Sequence, residues 1–305
     1  MASAATATRL DTDAIIGGDL RNTTGESPVW SVAEQMLYWV DIRQSRIHRY
    51  DPASGGIRAW KLPEMPGCIA LRRGGGLIAA CESGIFAIDL SEPDQAVCRR
   101  LATVAHAAPN MRFNDGRCDR QGRFRATTLL MGVTEMHKLG VLYGFERGAL
   151  SMLGVDALNT PNGMAFSPDG RTMYLSDSHA SVRMVWSFDY DIDDGILHNR
   201  RVFVDMTNYA GRPDGAAIDV EGCYWVAGMD DGCVMRFTPT GKLDRKVSLP
   251  TATPTMCAFG GADLKTLFVT SLCRTVADKK RDPQAGCLLA LALDTQGIEE
   301  PTYGG

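Results

Sequence analysis

Apolar positions along the chain come in short runs, each closed by Gly, Asp, Pro or Ser. MLYWV at 36–40, LIAA at 77–80, TMYL at 172–175, CYWVA at 223–227 and TLFVT at 266–270 are typical. Runs of this length, rich in β-branched and aromatic residues and bounded by turn formers, predict strands. No stretch of a dozen residues carries an i, i+3, i+4, i+7 apolar stripe, so alternating β–α units are not expected. The runs repeat in phase. NDG at 114–116 is followed by a strand and the turn DRQG at 119–122. PNG at 161–163 is followed by SPDG at 167–170, and PDG at 213–215 by DVEG at 219–222.

Six such units can be drawn, starting near Gly25, Gly67, Asn114, Asn162, Asp214 and Met256 and ending near Pro52, Asp89, Phe145, Asp189, Phe237 and Leu291. Six units in 305 residues give roughly 50 residues each, the spacing of four-stranded propeller blades. The prediction is an all-β, six-bladed β-propeller with four antiparallel strands per blade. It forms one domain over 1–305, with 1–12 as a flexible N-terminal tail. IHRY at 47–50, IFAI at 85–88 and VMRF at 234–237 read as outer strands. Closing the ring requires covered edges, and residues near Asp13 to Leu20 are expected to add a strand to the last blade. Stretches 129–138 and 274–283 read as loops over a rim.

In a propeller the first strand of each blade lines the axis, so residues at matching phase meet at one mouth. Glu26, Asn114, Asn162 and Asp214 occupy that phase. Each turn alone is ordinary, because Asn, Asp and Gly tolerate left-handed backbone. Together they offer hard oxygen donors and two carboxylates with no Lys or Arg among them, which suits a divalent cation.

The combination of GESPVW at 25–30, RFNDG at 112–116, PNGMAFSPDG at 161–170 and RPDGAAIDVEG at 212–222 resembles the SMP-30/gluconolactonase/LRE family, which includes regucalcin and sugar lactonases. The resemblance covers nearly the whole chain. It implies hydrolysis of a sugar-derived lactone with one divalent metal ion (Ca²⁺, Mg²⁺, Mn²⁺ or Zn²⁺) held by Glu26, Asn162 and Asp214. It also implies Asp214 as general base, Arg112 as a substrate contact, and Asn114 as a residue that reaches the metal or binds the substrate. One departure stands out. Where many relatives carry WxGTM, this chain has RATTL at 125–129, and an acidic residue that some place shortly afterwards is replaced by MGV at 131–133. Glu135 is the nearest substitute. Arg125, if it faces the channel, points to a substrate with an anionic group, and Asp177 is a further candidate for substrate contact.

Composition narrows the alternatives. A net charge of −4 and pI near 5.8 supply no basic face for nucleic acid or anionic membrane, leaving a small-molecule partner. LLALAL at 288–293 is too short to span a bilayer. The start lacks a basic segment followed by an apolar run, and the nine cysteines contain no CxxC pair. Both features fit a cytoplasmic protein with reduced thiols. The five histidines show no metal-ligand spacing, and Ser27 and Ser167 have no recognisable His and acid partners. The competing readings are a non-catalytic metal- or ligand-binding propeller and a metal-dependent aryl-ester or phosphotriester hydrolase. The oligomeric state is not legible.

Overall fold

The computed structural model describes residues 6–9, 15–132 and 134–305. Six antiparallel sheets are arranged radially, and the inner strands are Gly25–Ser31, Pro66–Leu71, Met111–Cys118, Pro161–Phe166, Arg212–Ile218 and Pro254–Gly260. Each inner strand touches the next, and Pro254–Gly260 returns to touch Gly25–Ser31, which closes a six-bladed β-propeller. Six apolar clusters fill the junctions between neighbouring blades. Between blades 1 and 2, for example, Val29, Val40 and Ile47 meet Ile69, Ala79 and Ile88. Between blades 6 and 1, Trp30 stacks on Phe268 at 5.7 Å. Full burial of a Phe, Leu or Ile side chain contributes about 1.5–3 kcal/mol, so these junctions hold the ring rigid.

The blade ends differ from the sequence expectation by one strand. The segments at 47–50, 85–88 and 234–237 are third strands, and the outer strands are Gly56–Lys61, Val97–Thr103 and Leu243–Ser248. The physical reason is solvation. Val97–Thr103 is exposed or half-buried throughout, so it carries no apolar signature. The last blade takes its fourth strand from the N-terminal side: Ile15–Ile16 pairs antiparallel with Leu288–Leu289. Residues 13 and 14 of that predicted closing segment lie outside the described residues. Within the predicted tail, Thr6–Arg9 runs parallel to Arg245–Ser248, and 1–5 and 10–12 lie outside the described residues.

Of the two predicted rim loops, 274–283 contains a short helix, Val276–Arg281, with Thr275 and Asp278 as a reciprocal capping box. The other begins within the strand Phe124–Leu130 and continues irregularly. No helix among the described residues is long and apolar enough to cross a membrane. All nine cysteines are free, Cys98 and Cys273 half-buried and the rest buried. The inner strands run in one direction, so their starts share one mouth and their ends share the other. The C-terminal segment crosses the second mouth, where Gly297 bridges Asp219 and Tyr303 bridges Arg72. The first mouth is left for chemistry.

Candidate functional site

Every inner strand breaks its ladder at the same step. The pairing shifts after Glu26, Pro66, Phe113, Asn162, Pro213 and Pro254. An extra residue at a bulge turns a side chain out of the pleat, and bulges recur beside active sites for that reason. The residues at this step are Glu26, Gly67, Asn114, Asn162, Asp214 and Thr255. Gly67 leaves no room for a side chain, because a Cβ there would collide with the Phe113 carbonyl. Thr255 is spent on structure, its hydroxyl donating to Gly25 O at 2.5 Å. The four remaining side chains are the four oxygen donors expected from the sequence.

The backbone after two of them is left-handed. Gly163 has φ +62°, and its missing Cβ makes way for the Tyr224 hydroxyl, which donates to Gly163 O at 2.8 Å. Ser27 has φ +50°, uncommon for a residue with a Cβ. It is held there by the Ile69 amide, which donates to the Ser27 hydroxyl at 2.9 Å.

A relay of donors orients the amides. Arg112 Nη1 donates to Asn114 Oδ1 (2.9 Å) and to Phe113 O (2.7 Å). Asn114 Nδ2 donates to Asn162 Oδ1 and to Pro161 O, both at 2.8 Å. Asn162 Nδ2 donates to the Ser178 hydroxyl at 2.7 Å, and that hydroxyl donates to Pro213 O. With its NH₂ group committed, Asn162 keeps an oxygen lone pair for a ligand.

The carboxylates are treated differently. Glu26 accepts only from the Ser27 amide, at 3.1 Å, and Asp214 accepts from no donor among the described residues. Burial, then the charges of Asp214 and Asp115, lift the Glu26 pKa well above the carboxylate range. Burial lifts Asp214 to about 7, against the lowering influence of Arg212. A buried carboxylate, Asp214, and a half-buried one, Glu26, beside an oriented amide oxygen, are a donor set that a hard divalent cation satisfies. No three His, Cys, Asp or Glu side chains gather into a group that could hold a metal ion among the described residues.

Two predicted contacts lie apart from this cluster. Arg125 is fully buried toward the opposite mouth. Its Nε donates to the Tyr190 hydroxyl at 3.0 Å, its Nη1 pairs with Glu146 at 3.2 Å and its Nη2 faces Asp119 at 3.6 Å. It therefore ties blade 3 to blade 4. Breaking a buried ion pair from one side destabilises by several kcal/mol, so Arg125→Met is expected to lose about 3 kcal/mol in a denaturant titration. The kcat of the folded fraction is expected to stay close to wild type. A lost kcat at unchanged stability would return Arg125 to the site.

Asp177 reaches the correct mouth, but its oxygens accept from the amides of Asn159 (2.8 Å), Thr160 (3.0 Å) and His179 (3.0 Å) and from Asn159 Nδ2 (2.9 Å). Its acceptor capacity is spent on shaping the loop into blade 4, as Asp41 does for Thr23 and Thr24 in blade 1. Glu135 is exposed on its loop.

Sequence reasoning missed Asp115, which lies beneath the cluster. Its Oδ2 accepts from the Met164 amide at 2.8 Å, and its Oδ1 has no partner among the described residues. Its signal was the residue after Asn114, an acid where the fourth and fifth units have glycine. A groove of about 760 Å³ on the flank is lined by Gly17, Asp41, Arg46 and His48 among others. It offers no comparable donor set, since Asp41 is committed to its loop.

Comparisons with known proteins agree with the fold. A family model described as SMP-30/Gluconolactonase/LRE-like region matches residues 24–273. The chain is 40% identical over 293 residues to 6-deoxy-6-sulfogluconolactonase of Pseudomonas putida, covering 92% of this chain and 95% of that one. It is 35% identical over 291 residues to regucalcin of Danio rerio, covering 93% and 96%. Among solved structures, a calcium-binding regucalcin from Agrobacterium tumefaciens superimposes with a TM-score of 0.90 at 27% identity, covering 98% of this chain and 99% of that one.

Proposed function

The chain belongs to the SMP-30/gluconolactonase/LRE-like family, and from that premise we propose that it is a lactonase acting on a sugar-derived lactone with a divalent cation at Glu26, Asn162 and Asp214. The observation that carries this reading is the pair of carboxylates at the hub, buried Asp214 and half-buried Glu26. The charge of Asp214 raises the proton affinity of Glu26, burial raises that of Asp214, and no basic side chain among the described residues comes within ion-pair distance of either. The chemistry a divalent cation supplies when bound is Lewis-acid polarisation of the ester carbonyl.

The protein's own groups supply the rest. Asp214 acts as general base. It takes a proton from the water that attacks the carbonyl carbon. The new C–O bond forms, the ring C–O bond breaks, and the proton passes to the departing ring oxygen. The product is an open-chain hydroxy acid. Arg112 and Asn114 line the place where the sugar ring lies, and orientation there contributes part of the rate. Arg112 stays protonated near neutral pH, although burial and the neighbouring Arg43 and Arg274 lower its pKa to about 10.

The test is a pH-indicator assay on a panel of aldono-γ- and δ-lactones, before and after EDTA, with spontaneous opening subtracted. Turnover is expected to vanish with chelator and to return with one of Ca²⁺, Mg²⁺, Mn²⁺ or Zn²⁺. Turnover indifferent to chelator would remove the cation. Cation binding without turnover of any lactone would make the chain a binding propeller.

A further inference from the structure

Two arginines that this chemistry does not use stand at the same mouth. Arg43 follows Ile42, whose amide donates to Thr24 O at 2.9 Å, two residues before Glu26. Arg274 follows Cys273, whose amide donates to Asn22 O at 3.0 Å, and the adjacent Leu272 amide donates to Thr253 O at 3.1 Å. The helix after Arg274 is fastened by Asp282, which accepts from the Ala252 amide at 2.8 Å. Both loops are thus pinned to the entrances of two neighbouring inner strands, those of blades 1 and 6.

The charges of these loops reach one another and the site. Arg43 and Arg274 both depress the basicity of Arg112. Arg274, itself lowered by lost hydration and then by Arg43, feels the attraction of Asp214. Nearby acids are engaged elsewhere. Asp230 holds Arg212 at 2.6 Å, and Asp278 holds Arg281 at 2.8 Å and caps the helix. Arg236, by contrast, is tied into the fold by Asp219, Glu221 and Asp244. Among the described residues, Arg43 and Arg274 have neither an ion pair nor a side-chain hydrogen bond. Once a divalent cation neutralises Glu26 and Asp214, the mouth is left with a positive excess.

Resting on the lactonase reading, we propose that Arg43 and Arg274 bind an anionic oxygen-bearing substituent of the lactone, a sulfonate, phosphate or carboxylate remote from the ring ester. Guanidinium forks match the oxygens of such groups, and Arg112, tied to Phe113 and Asn114, stays with the ring. A charged sugar lactone is then the preferred substrate.

The experiment compares neutral gluconolactone with its 6-sulfonated, 6-phosphorylated and 6-carboxylate counterparts, using the metal-loaded protein and the Arg43→Gln/Arg274→Gln double variant. Wild type is expected to favour at least one anionic lactone by roughly tenfold in kcat/KM, a preference that shrinks with added salt. The double variant is expected to lose that factor while opening the neutral lactone at close to the wild-type rate. Calorimetry with 6-phosphogluconate and gluconate reads the same site without turnover, and the double variant should abolish the difference in affinity.

Equal losses on charged and neutral lactones, or no anion preference in wild type by either readout, overturns the assignment while leaving neutral-lactone hydrolysis intact. If no lactone is opened, the lactonase reading falls. The calorimetric difference then decides the arginine site alone.

Discussion

Asp214→Ala is expected to lower kcat by at least about 10³-fold, because one side chain serves two roles. General-base removal alone is worth on the order of 10²–10⁴-fold, and loss of a preorganised charge-stabilising group about 10²–10³-fold. The two roles can be separated. Glu26→Gln removes a charge from the same donor set but leaves the base, so saturating cation should restore it more fully than it restores Asp214→Ala. Metal content measured on both variants then shows whether lost turnover follows lost metal. Turnover by fully metal-loaded Asp214→Ala within tenfold of wild type would remove Asp214 as the base and pass that role to Glu26 or to solvent.

The cluster was legible because its members sit in repeated turns whose phase can be counted along the chain. Asn162 and Asp214 each stand between a proline and a glycine, Asn114 holds the same point of its unit, and each falls at the step where the ladder breaks. Arg125 was misjudged for a reason of direction. The inner strand of blade 3 runs away from the mouth, so the next strand starts at the far end. There Arg125 is in register with Arg117, about 10 Å along the strand from Asn114. Asp177 ends its strand back at the mouth, but nothing in a sequence states that four donors already occupy its carboxylate. Outer strands and rim arginines were silent because solvent accepts almost any polar residue at those positions. Arg43 and Arg274 sit on loops with no repeating phase, and only folding brings them together.

Without a cation, the protein is expected to be more stable near pH 5 than near pH 8. A carboxyl group whose folded pKa is raised binds its proton more tightly folded than unfolded. Stability is therefore fully present below the unfolded value of 3.8 and is lost as pH climbs through the folded value of about 7. Between pH 5 and the folded value of about 7, Asp214 alone loses about 3 kcal/mol at 1.36 kcal/mol per pKa unit, and the raised Glu26 acts in the same direction. A loss of that size lowers the melting temperature by about 4–5 °C in a chain of this length, at an unfolding entropy of about 2.1 cal/mol/K per residue. A bound divalent cation reverses the dependence, since it favours the ionised carboxylates and competes with their protons. Calorimetric melts at pH 5 and pH 8, with EDTA or with excess cation, give four temperatures. Cation is expected to stabilise strongly at pH 8 and weakly at pH 5, and Asp214→Asn should flatten the pH dependence of the metal-free protein while removing much of the response to metal. A metal-free protein equally stable at both pH values, with no gain from any divalent cation at pH 8, would mean that the two carboxylates do not share a charge-compensated site at the hub.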